Sequence, residues 1–334
     1  QNFEWIVGTS IQDQKDDRKR FENNEGEKGA ITLDQIESFR SYGAFALASY
    51  NKENYSIQSG VRFDLHEISL DDNIGIDQQY VEYSKSLKAF SPNVGFIYNL
   101  NKNDEVYINY GKSYETPSLS ELSANPNGVG FNGDLNPMNS SGFDLGFRNK
   151  SQNLSYSITG FYIKTKDEIV RYELEGFEGM NFYRNLGTSK RIGTEMEVSY
   201  NLGNSGVLNA SYTQAKYEFK NQEVSGDLPG IPKSNFALKW LYGYKDFDLK
   251  LDLKYVNSLY ADNNNEVKVP SYLLSNIALK NKFNLKGFFL EVGLHVRNLL
   301  DEKYYDNIRT NAFGNRYYEP ASLRSFILSV KTTF

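Results

Sequence analysis

The sequence predicts an all-β, transmembrane antiparallel β-barrel, and three observations carry that prediction. Mean hydropathy is −0.59 and only 39% of the 334 residues are hydrophobic, too few for a compact soluble core of this size. Aromatic residues nevertheless make up 15%, with 22 Phe, 25 Tyr and 2 Trp, which excludes a disordered chain. No run approaches the roughly 18 apolar residues of a membrane-spanning helix. In place of such runs, apolar and polar residues alternate singly along many segments, as strands do when one face meets lipid and the other a polar lumen. Finally, the connections between those segments alternate between short and long.

Taken in order, the first strands lie at 3–12, 38–50, 54–66 and 87–100. The next, 104–113, puts Val106, Ile108 and Tyr110 on one face. Strands at 141–149, 153–166, 189–201 and 206–218 follow. Strand 234–244 aligns Phe236, Leu238, Trp240, Tyr242 and Tyr244. Strand 247–258 is the clearest. Phe247, Leu249, Leu251, Leu253 and Tyr255 fall on one face, and Asp248, Lys250, Asp252 and Lys254 on the other. A helix would scatter those charges around its circumference. After 272–283, strand 287–297 turns Phe288, Leu290, Val292, Leu294 and Val296 outward and Glu291, His295 and Arg297 inward. The last of about fourteen strands, 322–334, ends with Phe326, Leu328, Val330, Thr332 and Phe334 on one face. Bacterial barrels commonly close on such a terminal aromatic, which their assembly machinery reads.

Short connections occupy 51–53, 101–103, 150–152, 202–205, 245–246 and 284–286; long ones occupy 13–37, 67–86, 114–140, 167–188, 219–233, 259–271 and 298–321. The two kinds alternate throughout, as periplasmic turns and extracellular loops do in an outer-membrane barrel. A soluble all-β protein, the competing reading, has no reason to keep its long loops at one end.

Charge and composition narrow the function classes. Lys and Arg number 37 against 42 Asp and Glu, a net charge of −5, so there is no electrostatic case for nucleic acid. Zero cysteines exclude a disulfide scaffold and thiolate chemistry. No basic-then-apolar signal peptide opens the chain, so a mature form or an excised piece is expected. His66 and His295 are the only histidines. That leaves little material for histidine catalysis or a His-rich metal site, and neither catalytic residues nor a resident metal or cofactor is assigned. Met138, Met180 and Met196 are too few and dispersed for a copper-import reading. The acidic stretch 64–77, with Asp64, Glu67, Asp71, Asp72 and Asp77, offers oxygen ligands for Ca²⁺ but lacks EF-hand spacing, and reads better as a solvated loop. The run QDQKDDRKR at 12–20 reads the same way.

Several segments resemble the C-terminal barrel of TonB-dependent receptors, the plugged, energised importers of Gram-negative outer membranes. YGKSYETPSLSEL (110–122) and GDLNPMNSSGFDLGF (133–147) are similar to the family's aromatic-x-x-Pro-x-x-x-Glu-Leu stretch and Asn-Pro box. FYIKTKDEIV (161–170) and FYRNLGTSKRIGTEMEVSY (182–200) resemble its Asn-x-Gly followed by a Gly-x-Glu strand start. IPKSNFAL (231–238) and VPSYLLSNIAL (269–279) look like its paired Pro-led strand starts. VRNLLDEKYYD (296–306) resembles the penultimate-strand exit, and YEPASLRSFILSVKTTF (318–334) the closing Pro, Arg and Phe.

The resemblance implies that residues 1–334 are the C-terminal portion of a larger barrel of about 22 strands. The N-terminal plug and first strands would lie outside this chain, and Gln1 opens almost directly into a strand. It also implies an outer-membrane importer of a scarce metal chelate, ferric siderophore-like by default, with cobalamin, other metal chelates or oligosaccharide as further cargo classes. The implied partners are a TonB-type energiser acting through the plug, outer-membrane lipid and the barrel assembly machinery. A passive fourteen-strand channel and a surface adhesin or assembly component are the alternative readings.

Candidate ligand residues are the arginines and tyrosines of two long loops. Loop 167–188 carries Arg171, Tyr172, Tyr183 and Arg184; loop 298–321 carries Tyr304, Tyr305, Arg309, Arg316, Tyr317 and Tyr318. Arg offers a planar fork of donors to carboxylate or phosphate oxygens, and Tyr a rigid face with one polar tip. The set Arg171, Tyr183, Arg184, Tyr305, Arg309, Arg316 and Tyr317 therefore suits an anionic or catecholate chelate. Tyr and Arg also build aromatic girdles and lumen charge ladders, the competing role for each.

Overall fold

A computed structural model describes all residues except 1, 77–78, 128–129, 178 and 221–224. Fourteen strands of one sheet follow chain order: β1 (Phe3–Asn24), β2 (Glu27–Lys52), β3 (Tyr55–Ile76), β4 (Gln79–Asn99), β5 (Asp104–Glu115), β6 (Met138–Lys150) and β7 (Leu154–Lys166); then β8 (Thr188–Asn201), β9 (Val207–Lys220), β10 (Ser234–Tyr244), β11 (Phe247–Val256), β12 (Tyr272–Leu285), β13 (Phe288–Arg297) and β14 (Ser325–Thr333). Among the described residues, β1 and β14 have one strand neighbour each, so the sheet has two edges. Among the described residues, no helix is long and apolar enough to cross a membrane. The chain divides into two compact units. The first holds Gln1–Phe96, Asn109–Phe143 and Ile163–Ser189, and the second Ile97–Ile108, Asp144–Tyr162 and Lys190–Phe334.

In the second unit the alternating faces meet in register. Trp240, Leu251, Ile277, Val296 and Phe326 form one row across β10 to β14. The neighbouring row, Leu241, Lys250, Ala278, His295 and Ile327, lies on the opposite face. Charges on that inner face form ladders: Lys250 bonds Asp252 at 3.0 Å, and Lys280 bridges Asp248 at 3.4 Å and Glu291 at 3.6 Å. Gly193, in the Gly-x-Glu segment, lets β8 approach β9 closely. A Cβ there would meet Ala215 Cβ at 2.5 Å and the Gln214 carbonyl oxygen at 2.6 Å. Because one obstacle is backbone, Gly193→Ala is expected to cost about 1–3 kcal/mol by overpacking, measurable as a lower urea midpoint.

The first unit departs from the expected loop boundaries. The segments expected as loops 13–37 and 67–86 are largely strand. β1 and β2 run on to a tight turn at Glu25 and Gly26, with φ of 54° and 99°, and β3 and β4 extend likewise. Register supplies the reason. Outward residues of β1, β2 and β3 stay largely apolar or small up to the row Ile11–Tyr42–Leu65, and the next outward row is Asp13–Arg40–Glu67. Arg40 donates to Asp13 at 2.8 Å. Thus Tyr55 to Leu65 supplies one lipid crossing, within the roughly 9–11 residues needed at a tilt. Above it both faces meet water. The apolar alternation stops there, while the backbone ladder does not.

The run 12–20 is therefore strand rather than loop, and so is the described part of the acidic stretch; Asp77 lies outside the described residues. Asp64 accepts from Arg62 at 2.6 Å on the inner face of β3. His66, expected at a strand's end, sits within β3 instead, stacked between Phe39 at 5.4 Å and Tyr114 at 6.2 Å.

Candidate ligand-binding site

In the first unit, two segments fold against the inner wall. Ser118 starts a single helical turn, Leu119–Leu122, through a capping box: its backbone N–H donates to Glu121 Oε2 at 2.8 Å, and its Oγ accepts from the Glu121 N–H at 3.3 Å. That turn aims Leu119 and Leu122 inward, where they pack with Phe131 and Leu135 against Ile68 and Leu70 of β3. Removing this apolar surface from water fixes the segment to the wall. Lys85 Nζ adds hydrogen bonds to the carbonyls of Gly133 at 3.1 Å and Leu135 at 3.2 Å.

The Asn-Pro and Asn-x-Gly segments clasp each other. Asn185 Oδ1 accepts from the Asn136 N–H at 2.6 Å, while Asn185 Nδ2 donates to the Asn136 carbonyl at 2.9 Å and the Asp167 carbonyl at 2.8 Å. One side chain thus imitates a strand neighbour for backbone that has none. Asn185→Ala removes all three bonds and is expected to cost about 2 kcal/mol locally. Hydrogen exchange of the 116–137 amides should accelerate by about tenfold or more. Unchanged exchange would contradict the clasp.

From this clasp rises a hairpin, Ile169–Tyr172 paired with Phe182–Asn185. Arg171 stands opposite Tyr183, on the face whose Ile169 and Tyr183 pack against the apolar cluster. Arg184 stands on the other face, its guanidinium 5.2 Å from the Tyr172 ring. The hairpin therefore brings Arg171 and Tyr183 together and turns Arg184 away from them. Burial, with some help from Glu121 and against Arg171, pushes the Tyr183 phenol above the ordinary tyrosine range, so it remains a hydrogen-bond donor at physiological pH.

A pocket of about 450 Å³ opens between this hairpin, the 116–137 segment and the upper part of β1. Its lining includes Arg18, Arg20, Asn125, Phe177, Phe182 and Tyr183, and none of its described lining residues is acidic. Phe182 is 3% exposed and meets Phe177 edge-on at 5.7 Å. Arg18 bridges wall and loop: Nη1 donates to Glu37 Oε1 at 2.7 Å and to Ser123 Oγ. Glu37, 1% exposed, also accepts from Gln35 at 2.5 Å. Sequence reasoning missed Arg18 and Arg20 because it took their segment for a solvated loop. The inward face became identifiable only through the register of β1 with β2.

The second unit carries the other four candidates on a hairpin, Tyr305–Ile308 paired with Tyr318–Pro320. Tyr305 stacks on Tyr318 at 4.4 Å, and Tyr317 meets Tyr318 edge-on at 6.1 Å. Burial, followed by the charges of Asp262, Tyr318 and Glu266, raises the Tyr317 phenol. The arginines are engaged within the loop: Arg309 Nε donates to Glu319 at 2.6 Å, and Arg316 Nε to the Phe313 carbonyl at 3.1 Å. Beneath the hairpin, Tyr305 and Asn307 join Tyr272, Asn235, Asn257 and Lys254 around a pocket of about 510 Å³. This unit thus offers rings and amides, with both hairpin arginines already committed.

The family model described as TonB dependent receptor-like, beta-barrel matches residues 2–299, and the chain belongs to that family. Its members are outer-membrane β-barrel proteins of Gram-negative bacteria. The chain is similar to the catecholate siderophore receptor Fiu of Escherichia coli K12, 26% identical over 267 residues, covering 76% of this chain and 34% of that protein. It is also similar to the ferrioxamine receptor of Yersinia enterocolitica, 23% identical over 225 residues, covering 64% of this chain and 30% of that protein. The crystal structure of the unliganded ferric citrate transporter FecA matches with a TM-score of 0.81 at 18% identity, covering 99% of this chain and 51% of that chain. The chain therefore spans about a third of its curated relatives and about half of the solved receptor.

Proposed function

We propose that this chain is the C-terminal wall of an outer-membrane receptor that binds a scarce metal chelate, ferric siderophore-like, and imports it with energy from a TonB-type protein. The observation that carries this reading is the arginine and aromatic pocket held by the 116–137 and 169–185 segments, whose described lining is free of carboxylates. Relatives named for catecholate siderophores and ferrioxamine support the cargo class. The TonB-type partner acts through a plug outside this sequence. Lipid meets the outward apolar rows, and the assembly machinery reads the terminal strand that leads to Phe334.

The sheet's two edges support a larger barrel, because an unpaired strand edge is not tolerated in lipid. The intact mass of the polypeptide purified from outer membranes tests this: the reading expects about twice 38.2 kDa, and 38.2 kDa without a plug-bearing partner opposes it. Function is tested in planar bilayers and by binding of iron-55-labelled ferric chelates. Saturable binding without steady conductance is expected. Steady ion conductance without chelate binding would identify a passive channel instead.

A further inference from the structure

On the chelate-receptor reading, we propose that Arg20 holds the cargo's negative charge, and that the pocket beside it takes an aromatic ring bearing a carboxylate or phenolate. The other arginines near the loops are engaged elsewhere. Arg309 and Arg316 bond Glu319 and the Phe313 carbonyl, Arg184 lies over the Tyr172 ring, and neither Arg184 nor Arg171 is among the described lining of this pocket. Arg18 lines the same pocket but belongs to Glu37. Withdrawing it would strand a carboxylate that is 1% exposed, so Arg18 serves as a positioning residue that joins wall to loop.

Arg20 differs from Arg18 in one decisive respect. It stands two residues further along β1, hence on the same inward face, and lines the pocket. Among the described residues its side chain makes no ion pair and no hydrogen bond. Its fork is therefore available for two parallel bonds to a planar anion. Phe177, 49% exposed and held edge-on by the buried Phe182, and Met180 supply apolar surface for the ring that carries the anion. The volume of about 450 Å³ suits one such group rather than a whole large chelate.

The test uses the complete receptor in outer-membrane vesicles and two iron-55-labelled probes. One is the anionic ferric complex of 2,3-dihydroxybenzoate; the other is ferrioxamine B, which has neither the ring nor the negative charge. Arg20→Ala should weaken the anionic complex about tenfold or more, and Arg20→Lys, which keeps charge but loses the fork, about threefold. Ferrioxamine B binding should be the same in all variants. Lys15→Ala removes an equal charge from the outward face of the same strand and should change the anionic complex by less than about twofold. Unaltered gel migration before and after heating confirms that the variants fold.

Wild-type affinity for the anionic complex in Arg20→Ala would overturn the inference. A wild-type receptor that takes ferrioxamine B but not the anionic complex would also overturn it, leaving the receptor reading intact. Binding of neither probe would overturn both.

Discussion

A receptor carrying Leu251→Arg is expected to lose about 2–4 kcal/mol of folding stability in lipid vesicles, because the new guanidinium would face hydrocarbon near mid-membrane. Leu251 is the central member of the outward set Phe247 to Tyr255 on β11, and its row continues through Trp240 on one side and Ile277 on the other. The adjacent Lys250 faces Asp252 on the inner side at 3.0 Å, in a polar environment. Lys250→Arg keeps that charge in place and should change stability by less than about 0.5 kcal/mol. Urea titrations of both variants test the face assignment directly. Equal stability of the two would mean that β11 does not present alternate faces to lipid and lumen.

Asn298→Ala is expected to cost about 3 kcal/mol, because several local interactions fail together. Asn298 follows β13 with φ of 51° and is 4% exposed. Its Nδ2 donates to the Glu302 carbonyl at 2.8 Å, and its Oδ1 accepts from the Glu302 N–H at 2.8 Å. Its own N–H donates to Asn276 Oδ1 at 2.9 Å. The following Asp301 accepts from the Arg324 N–H at 2.9 Å, linking this exit to the approach of β14. Asn298→Gly restores backbone freedom but not the side-chain bonds, so its loss should be about half as large. Equal losses for Ala and Gly would remove the backbone contribution from this account.

These cases show why parts of the structure were readable from the amino acids and others were not. Strands crossing lipid announce themselves because hydrocarbon demands a strict period of two, as in Phe247 to Tyr255. Outside the membrane that demand lapses, so the water-exposed upper halves of β1 and β2 read as a charged loop although their ladder continues to Asn24 and Glu27. The exit at Asn298 and the clasp at Asn185 were visible as segments resembling a family. Their purpose, satisfying buried backbone where pairing ends, shows only in the folded chain.

The candidate site divides similarly. Arg171 and Tyr183 are opposite partners on one hairpin, close enough in sequence to be suspected together. Arg18 and Arg20 join Phe182 only through contacts more than a hundred residues apart, and no local pattern reports those. Arg309 and Arg316 carried the right chemistry in the sequence, but their charges are occupied by neighbours within their own loop.

Whole-cell uptake of an iron-55-labelled ferric catecholate by the complete receptor is the most direct test of energised import. Uptake should saturate, cease when a proton uncoupler collapses the inner-membrane gradient, and cease in cells lacking the TonB-type protein, while surface binding persists in both. Uptake that continues undiminished without the gradient would overturn energised import and place this chain in the wall of a passive channel.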